Sequence, residues 1–241
     1  VHIMTVRVES LNISWLGYAT VRIESADGFV TYIDPGRYDV LDDYYAHDGD
    51  LVVVTHNHHY DSDAIRQVAA ETATIVAFEA IAAEQIDRDV TAVSQLPYDI
   101  IRVDAESHYV VGPVDIWSLP AYNKPDGPTA DADGSVVHPR GCGCGYRLSI
   151  DNLSIFWPGD SDVLSGFHRL PVDIFLANIG GSVVMDRHAA ASLTAALNPQ
   201  LTIPIHYDTI DLLATDADAF VVDVAQQNCP VVIEDPNERP V

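Results

Sequence analysis

The chain has 241 residues, with 12 Lys or Arg against 36 Asp or Glu, which gives a formal net charge of −24. Its hydrophobic fraction of 48% excludes a disordered protein. No apolar run approaches the ~18 residues of a membrane span and no signal-peptide pattern is present, so we expect no membrane partner. The acidic residues are spread along the chain and repel polyanions, which disfavours a nucleic-acid partner, although high salt would damp this repulsion too. The charge favours adaptation to a high-salt cytoplasm over binding of a cationic partner.

The three cysteines are an odd number, which predicts a reducing cytoplasm in the absence of a secretion signal. Cys142 and Cys144 form a single C-x-C within GCGCGY, which is a weak zinc signal without a second pair. We interpret them as small fillers of a tight glycine-rich loop. We expect residues 1–4 to be a non-native remnant ahead of a single domain over residues 5–241.

Alternating and continuous apolar runs predict the elements in chain order. Strands are predicted over residues 6–24 (with a break at 16–18), 29–33, 51–54, 74–77, 91–93, 100–111, 114–119, 146–150, 153–157, 172–179, 201–205 and 231–234. Helices are predicted from about residue 63 to 71 and over residues 78–87, 187–197 and 215–226. The segments 39–50 and 122–139 remain irregular, and a loop as long as the second is usually functional or disordered.

Strands and a helix are thus followed by a loop and then by strands and a helix again. This order predicts an α/β (α+β) protein in which two similar halves, residues 5–112 and 113–241, form two sheets between outer helices.

The segment LVVVTHNHHYDSDA, residues 51–64, carries the strongest functional signal. A buried strand over residues 51–54 delivers three histidines and an aspartate within six residues, namely His56, His58, His59 and Asp61. Imidazole nitrogens and carboxylate oxygens are ordinary zinc ligands, and a strand end holds them rigidly. Asp61 or Ser62 is also placed to cap the helix that follows.

Two later residues also follow apolar strands directly. Asp160 comes after the strand LSIFW, and His206 comes after LTIPI. They converge with the first cluster only if their strands are neighbours. A turn or helix-capping role for Asp160 and a satisfied sheet-edge role for His206 stay open. Together with the first cluster they have the composition of a dinuclear site bridged by a carboxylate.

Four motifs carry a resemblance to a known family, and they are THNHHYD, WPGDSD, NIGGSVVMDRHAA and IPIHYD. They resemble the metallo-β-lactamase-fold hydrolases, most closely the ascorbate-6-phosphate-lactonase-like and N-acylphosphatidylethanolamine-phospholipase-like branch. The resemblance extends roughly from residue 10 to residue 235. It implies a four-layer αββα sandwich with a metal site along one edge of the sheets.

The first motif departs from the family pattern T-H-x-H-x-D-H. Aligned from its start, the chain keeps His56 and His58, but Tyr60 takes the aspartate position and Asp61 the last histidine position. Aligned from its end with one inserted residue, His59 is the second histidine, Asp61 keeps its role and Ser62 replaces the last histidine. We prefer the second register.

Three further positions are possible members of the site. Tyr18 stands where many relatives have a histidine after W-L-G, and Asn123 stands where many have a histidine ligand of the first metal. Some relatives also carry PAYN at that point, and in those the later HP motif helps to form the site. His138 is therefore a candidate ligand, although it is equally well explained as a solvated loop histidine.

The resemblance implies a metal-dependent hydrolase of a small-molecule lactone or phosphoester. One or two ions of zinc or manganese would bind to His56, His58, His59, Asp61, Asp160 and His206. Asp61 would orient and deprotonate the attacking water. The missing family ligands leave a second hypothesis open, a non-catalytic protein with a binding or regulatory role. A nuclease is a third hypothesis, which the acidic surface disfavours.

Overall fold

The computed structural model describes residues 5–233, and its first sheet contains seven strands in sequence order. They are β1 (Val6–Val8), β2 (Leu11–Gly17), β3 (Thr20–Glu24), β4 (Val30–Ile33), β5 (Gly49–Val54), β6 (Ala69–Phe78) and β7 (Asp99–Val103). The pairs from β1 to β4 are antiparallel, and those from β4 to β7 are parallel.

The second sheet contains six strands, in the order β13-β12-β11-β10-β9-β8. They are β8 (His108–Val111), β9 (Val114–Ala121), β10 (Gly143–Ile150), β11 (Leu153–Trp157), β12 (Ile174–Asn178) and β13 (Leu201–Ile205). The pairs from β8 to β11 are antiparallel, and β11, β12 and β13 are parallel. The chain passes from one sheet to the other between Val103 and His108, so β8 belongs to the second sheet although the expected first half includes it.

Three α-helices complete the layers within the described part of the chain, and an aspartate side chain caps the first turn of each. They are α1 (Ser62–Val68), α2 (Arg187–Leu197) and α3 (Ala217–Gln226). Helix α1 lies in the crossover between β5 and β6, and α2 packs against β12 and α3. The predicted α/β class with two sheets and outer helices is confirmed. No helix in residues 5–233 is long and apolar enough to cross a membrane.

The core lies between the two sheets and extends through their central strands. Leu51 to Val54 in β5 are 0% exposed, as are Ile174 to Ala177 in β12. Strands that are covered on both faces read as continuous apolar runs, because neither face is left to water. These runs were therefore recognisable in the sequence, and they bring the residues that follow them to fixed positions.

Two predicted elements in the first half are wrong. Residues 78–87 are not an α-helix, and residues 91–93 are not a strand; each region has only a short 3₁₀ turn, at Ala83–Gln85 and Val93–Gln95. The alanine-rich composition of residues 78–87 favours a helix, but hydrogen bonds to other parts of the fold override this propensity. Arg102 donates to the carbonyl oxygen of Ile81 at 2.7 Å, and the side-chain oxygen of Asn57 accepts from the Ala82 amide at 3.0 Å.

Both ends of the chain contain predictions that lie outside the described residues. Residues 1–4 are among these, as is Glu234, the last residue of the predicted strand 231–234. Residues 231–233 are described and do not form a regular strand. Val231 forms a single parallel bridge with Thr202. All three cysteines are free thiols.

The carboxyl ends of the central strands of both sheets meet at one edge. Tyr146 of β10 donates its hydroxyl to the carbonyl oxygen of Val54 at 3.0 Å, and the Cys144 amide donates to the Thr55 carbonyl oxygen at 3.2 Å. Gly143 must be a glycine, because a Cβ atom there would lie 2.8 Å from the Cβ of His56. The two sheets are therefore joined at the point where the predicted site residues follow their strands.

Candidate metal centre

Five of the predicted site residues and the loop residue His138 meet at this edge of the sheets. The turn after β5 supplies His56, His58 and His59, Asp160 follows β11, and His206 follows β13 directly. Because β11, β12 and β13 are parallel neighbours, their carboxyl ends lie side by side. Within residues 5–233, the side chains form two groups of possible metal donors that share Asp160.

The first group consists of His56, His58, His138 and Asp160. His58 Nδ1 lies 3.0 Å from His138 Nε2, and His138 Nε2 lies 3.3 Å from Asp160 Oδ2. His56 Nε2 lies 3.5 Å from the same carboxylate oxygen. His58 reaches the surface, whereas the other three residues are buried.

The second group consists of His59, Asp160 and His206, all of them buried. The Nε2 atoms of His59 and His206 lie 3.2 Å apart, and each lies 3.5 Å from Asp160 Oδ1. Asp160 therefore turns one oxygen towards each group. This is the arrangement that a carboxylate bridging two ions requires.

The donor spacings fit divalent metal ions. Two atoms that bind one tetrahedral ion at about 2.0–2.1 Å lie roughly 3.3 Å apart. The six spacings given above are 3.0–3.5 Å, and all donor atoms of a group lie within 4.8 Å of one another. Within the described part of the chain, His56 Nε2 and Asp160 Oδ1 are buried and have no hydrogen-bond partner, and the same is true of His206 Nδ1. Buried polar atoms without partners are costly, and a metal ion would satisfy the first two.

A second layer of side chains orients the histidines, and its centre is Asp34. His59 Nδ1 lies 2.9 Å from Asp34 Oδ2, and the Thr55 hydroxyl and Trp157 Nε1 each donate to that oxygen at 2.8 Å. With a proton on Nδ1 shared with Asp34, His59 directs the lone pair of Nε2 towards the second group. Sequence reasoning missed Asp34, because an Asp-Pro pair is also a common turn signal.

His138 and Asn123 contribute to the site in different ways. The Asn123 side-chain oxygen accepts from the His138 amide at 3.0 Å and lies 3.1 Å from His138 Nδ1. The carbonyl oxygen of Val183 also lies 3.1 Å from that nitrogen. These acceptors place the proton of His138 on Nδ1 and leave Nε2 free to act as a donor to a metal. Asn123 therefore positions a possible ligand and is not a member of either group.

Tyr18 forms a wall beside the second group. Its ring lies 4.5 Å from the His206 ring and 5.0 Å from the His59 ring, measured between centroids. Its backbone carbonyl accepts from the His206 amide at 3.0 Å. Burial, followed by the charge of Asp160, raises the pKa of Tyr18 well above its ordinary value.

The structure gives Asp61 a role different from the expected one. Asp61 lies outside both groups, and its Oδ1 accepts from the Asp63 and Ala64 amides at 3.1 and 3.0 Å as the N-cap of α1. Its Oδ2 lies 3.8 Å from Arg88 Nη1. The sequence allowed both roles, since a ligand after a strand and a cap before a helix occupy the same place.

Neither expected register describes the turn after β5. His56 and His58 point to the first group, as in the first register. His59 points to the second group, where neither register placed it. The amides of His59 and Tyr60 both donate to the His56 carbonyl, at 3.2 and 3.1 Å, in a tight turn. Ser62 faces away from the site and accepts from the Thr91 amide at 3.0 Å.

Burial and charge favour the protonation states that metal ligands need at His56, His206 and Asp160, and His59 is the exception. Burial lowers the pKa of His56 to about 3 and that of His206 to about 4, so both imidazoles are neutral near pH 7. Burial alone would raise the pKa of Asp160, but His59, His206 and His138 hold it well below its ordinary value. Burial alone would lower the pKa of His59, but the charges of Asp160 and Asp34 raise it above its ordinary value.

Comparison with known proteins agrees with this fold and with a metal-dependent hydrolase. A family model described as the beta-lactamase superfamily domain matches residues 12–206. The UPF0173 metal-dependent hydrolase TK0141 of Thermococcus kodakarensis is 31% identical over 199 residues, which cover 80% of this chain and 81% of that protein. The chain therefore belongs to the UPF0173 metal-dependent hydrolase family, within the metallo-β-lactamase superfamily.

Solved structures with less than 25% identity show the same fold. Igni18, a metallo hydrolase from Ignicoccus hospitalis, matches with a TM-score of 0.69 at 19% identity, covering 95% of this chain and 96% of that one. The isothiocyanate hydrolase from Delia radicum gut bacteria matches with a TM-score of 0.67 at 18% identity, covering 94% and 95% of the two chains. The expected metallo-β-lactamase fold is thus confirmed.

Proposed function

We propose that this protein hydrolyses a small-molecule lactone or phosphoester with one or two zinc or manganese ions held by the two donor groups. The observation that carries the proposal is Asp160, which turns one oxygen towards each group of histidines. Family membership supports metal-dependent hydrolysis, and the resemblance to the lactonase-like and phospholipase-like branch supports the substrate class. The acidic surface is consistent with a salt-adapted cytoplasm, which we propose as the setting.

The chain's own residues would divide the work between the two groups. When bound, a divalent ion polarises a carbonyl or phosphoryl group and lowers the pKa of water. Four donors in the first group would hold an ion firmly. Three donors in the second group are the number that catalytic zinc sites use, which leaves room for a substrate. The Tyr18 ring covers one side of the second group and limits access of bulk water there.

A non-catalytic binding protein is the second candidate. One observation favours it, since Asp61 is occupied as a helix cap and does not reach the donor groups as a second carboxylate base. Such a protein could bind metal and still have no turnover. Metal content and hydrolysis must therefore be measured together.

The test is elemental analysis of protein purified without chelator in high salt, followed by assays with a γ-lactone and with bis(4-nitrophenyl) phosphate. We expect one or two equivalents of zinc or manganese, and turnover that a chelator removes and zinc restores. His206→Gln should reduce both metal content and turnover. His108→Gln is the matched control, because His108 stacks on Trp117 in β9, away from both groups. Bound metal with no turnover on either substrate class would favour the binding protein, and no metal uptake would overturn the proposal.

A further inference from the structure

Arg37 is held beside the second donor group by two tyrosine rings. Its guanidinium carbon lies 4.4 Å from the centroid of the Tyr38 ring and 6.0 Å from that of the Tyr18 ring. The Tyr18 ring in turn packs on His206 and His59. Only one aromatic ring therefore separates this positive charge from the donors of the second group.

Most of the hydrogen-bonding capacity of Arg37 is unused. Its Nη1 donates to the carbonyl oxygen of His58 at 2.8 Å, while Nε and Nη2 make no hydrogen bond or ion pair with any residue from 5 to 233. A guanidinium group has five donors in a planar fork that matches a carboxylate or a phosphate. The contact with the Tyr38 ring and the hydrogen bond to His58 restrain the position of this fork in advance.

The backbone that carries Arg37 adopts an unusual conformation. Arg37, Tyr38 and Asp39 have φ angles of 66°, 52° and 58°, so three consecutive residues with a Cβ atom are left-handed. Gly36 precedes them, and a Cβ atom there would lie 2.3 Å from the Cβ of Ala64 in α1. Unfavourable backbone of this kind persists where the surroundings hold it, and it clusters at ligand sites.

The surrounding charges indicate where an anion would bind. On one side of Arg37 is a cavity of about 240 Å³, whose acidic lining residues are Asp39, Asp42, Asp61, Asp63 and Asp89. Five carboxylates against Arg37 and Arg88 disfavour an anion in that cavity. The side of Arg37 that faces Tyr18 leads to the histidines and to any metal ions they hold. An anionic group would be attracted to that side.

We propose that Arg37 is a specificity-determining residue that binds a carboxylate or phosphate group of the substrate beside the second donor group. The inference rests on the function proposed above and adds the substrate class, an anionic molecule. Arg37 takes no part in bond breaking. It binds and orients the anionic group while the hydrolysed bond lies at the metal donors.

The test is calorimetric titration of the zinc-loaded protein at one fixed ionic strength with two probes. Phenylphosphonate is anionic, whereas acetohydroxamic acid binds zinc without needing an anion site. The variants are Arg37→Met and Arg37→Lys. Arg147→Met is the matched control, because Arg147 also lies over an aromatic ring, 4.7 Å from the centroid of Trp117, and also donates to a backbone carbonyl, that of Pro171 at 2.8 Å.

We expect Arg37→Met to weaken phenylphosphonate binding about tenfold or more, with acetohydroxamic acid binding and zinc content unchanged. Arg37→Lys keeps the charge but lacks the fork, so it should give an intermediate loss of phenylphosphonate binding. This variant replaces Arg37→Met in the test if the methionine variant does not fold. Arg147→Met should bind both probes as the wild type does.

Unchanged phenylphosphonate binding in Arg37→Met would overturn the inference. A parallel loss of zinc and of both probes would also overturn it, because Arg37 would then only support the His58 loop. If the wild-type protein binds zinc and acetohydroxamic acid but not phenylphosphonate, the anion site is ruled out and the proposed function stands. If the wild-type protein takes up no zinc, both the anion site and the proposed function are ruled out.

Discussion

The two donor groups share Asp160 but are built in different ways. The first group takes His138 from the long segment between β9 and β10, and its His58 reaches the surface. The second group is fully buried, and three residues around it are left-handed, namely Tyr18, Asp34 and His206, with φ angles of 48°, 42° and 59°. Each such residue costs about 1–2 kcal/mol. The fold therefore tolerates more strain to shape the group with fewer donors.

This difference suggests different tasks for the two groups. Four donors satisfy a tetrahedral ion, as in structural zinc sites, whereas three rigid donors leave one position open. Strained residues held by their surroundings are common where a site is shaped in advance for its ligand. We expect the first group to retain its ion and the second group to face the substrate.

Asp160→Asn should affect both groups and so remove the difference between them, because each group loses a charged oxygen at once. We expect metal affinity to fall at least about 100-fold in both groups, and turnover to fall with it. Zinc titration with a competing chelator measures the affinities. Two ions bound as tightly as in the wild type would contradict the bridging role.

His59→Gln and His58→Gln should sharpen the distinction. The first substitution leaves two histidine or carboxylate donors in the second group, whereas the second leaves three in the first group. We therefore expect His59→Gln to lose one equivalent of zinc and His58→Gln to retain both with weaker binding. Zinc stoichiometry measured by elemental analysis compares them directly, and equal losses would show that the groups are equivalent.

Asp34→Asn should affect mainly the second group, because Asp34 orients His59 through Nδ1. Removal of such an outer-layer partner typically lowers metal affinity about 10–100-fold. Asn123→Ala is the counterpart in the first group, since Asn123 orients His138. Chelator competition should show weaker binding of the ion in the second group for Asp34→Asn and of the ion in the first group for Asn123→Ala. Loss of the same ion in both variants would contradict this expectation.

Asp61→Ala should have the smallest effect and should leave both groups intact. Loss of the N-cap of α1 should lower the free energy of unfolding by about 1 kcal/mol, with zinc stoichiometry unchanged. Asp216→Ala is the matched control, because Asp216 caps α3 through the Ala219 amide at 2.8 Å and lies outside both groups. Urea denaturation followed by zinc analysis measures both quantities. A loss of zinc in Asp61→Ala alone would return Asp61 to the metal site.

The site residues that the sequence located share one property. His56, Asp160 and His206 stand at or close to the end of a largely buried strand, so the apolar run that precedes each of them determines where it lies. The same reasoning could have found Asp34, which follows the buried strand β4. It was missed because Asp-Pro is also a common turn signal.

The details of the turn after β5 could not be predicted. Whether His58 or His59 points to a given group depends on backbone bonds within residues 56–60, which have no periodic signature. The role of Asp61 depends on the same turn. His138 was suggested by family resemblance alone, because its position rests on contacts with Asn123 and Val183 that are distant in the sequence. The two wrong elements likewise reflect tertiary contacts that override local propensity.

The central claim is that Asp160 lies between two metal ions. It is tested most directly by anomalous X-ray diffraction from crystals of the zinc-loaded protein, measured at the zinc absorption edge. We expect two anomalous peaks, one between His56, His58 and His138 and the other between His59 and His206, with Asp160 between them. A single peak, or density at these histidines without an anomalous signal, would contradict the bridging role of Asp160.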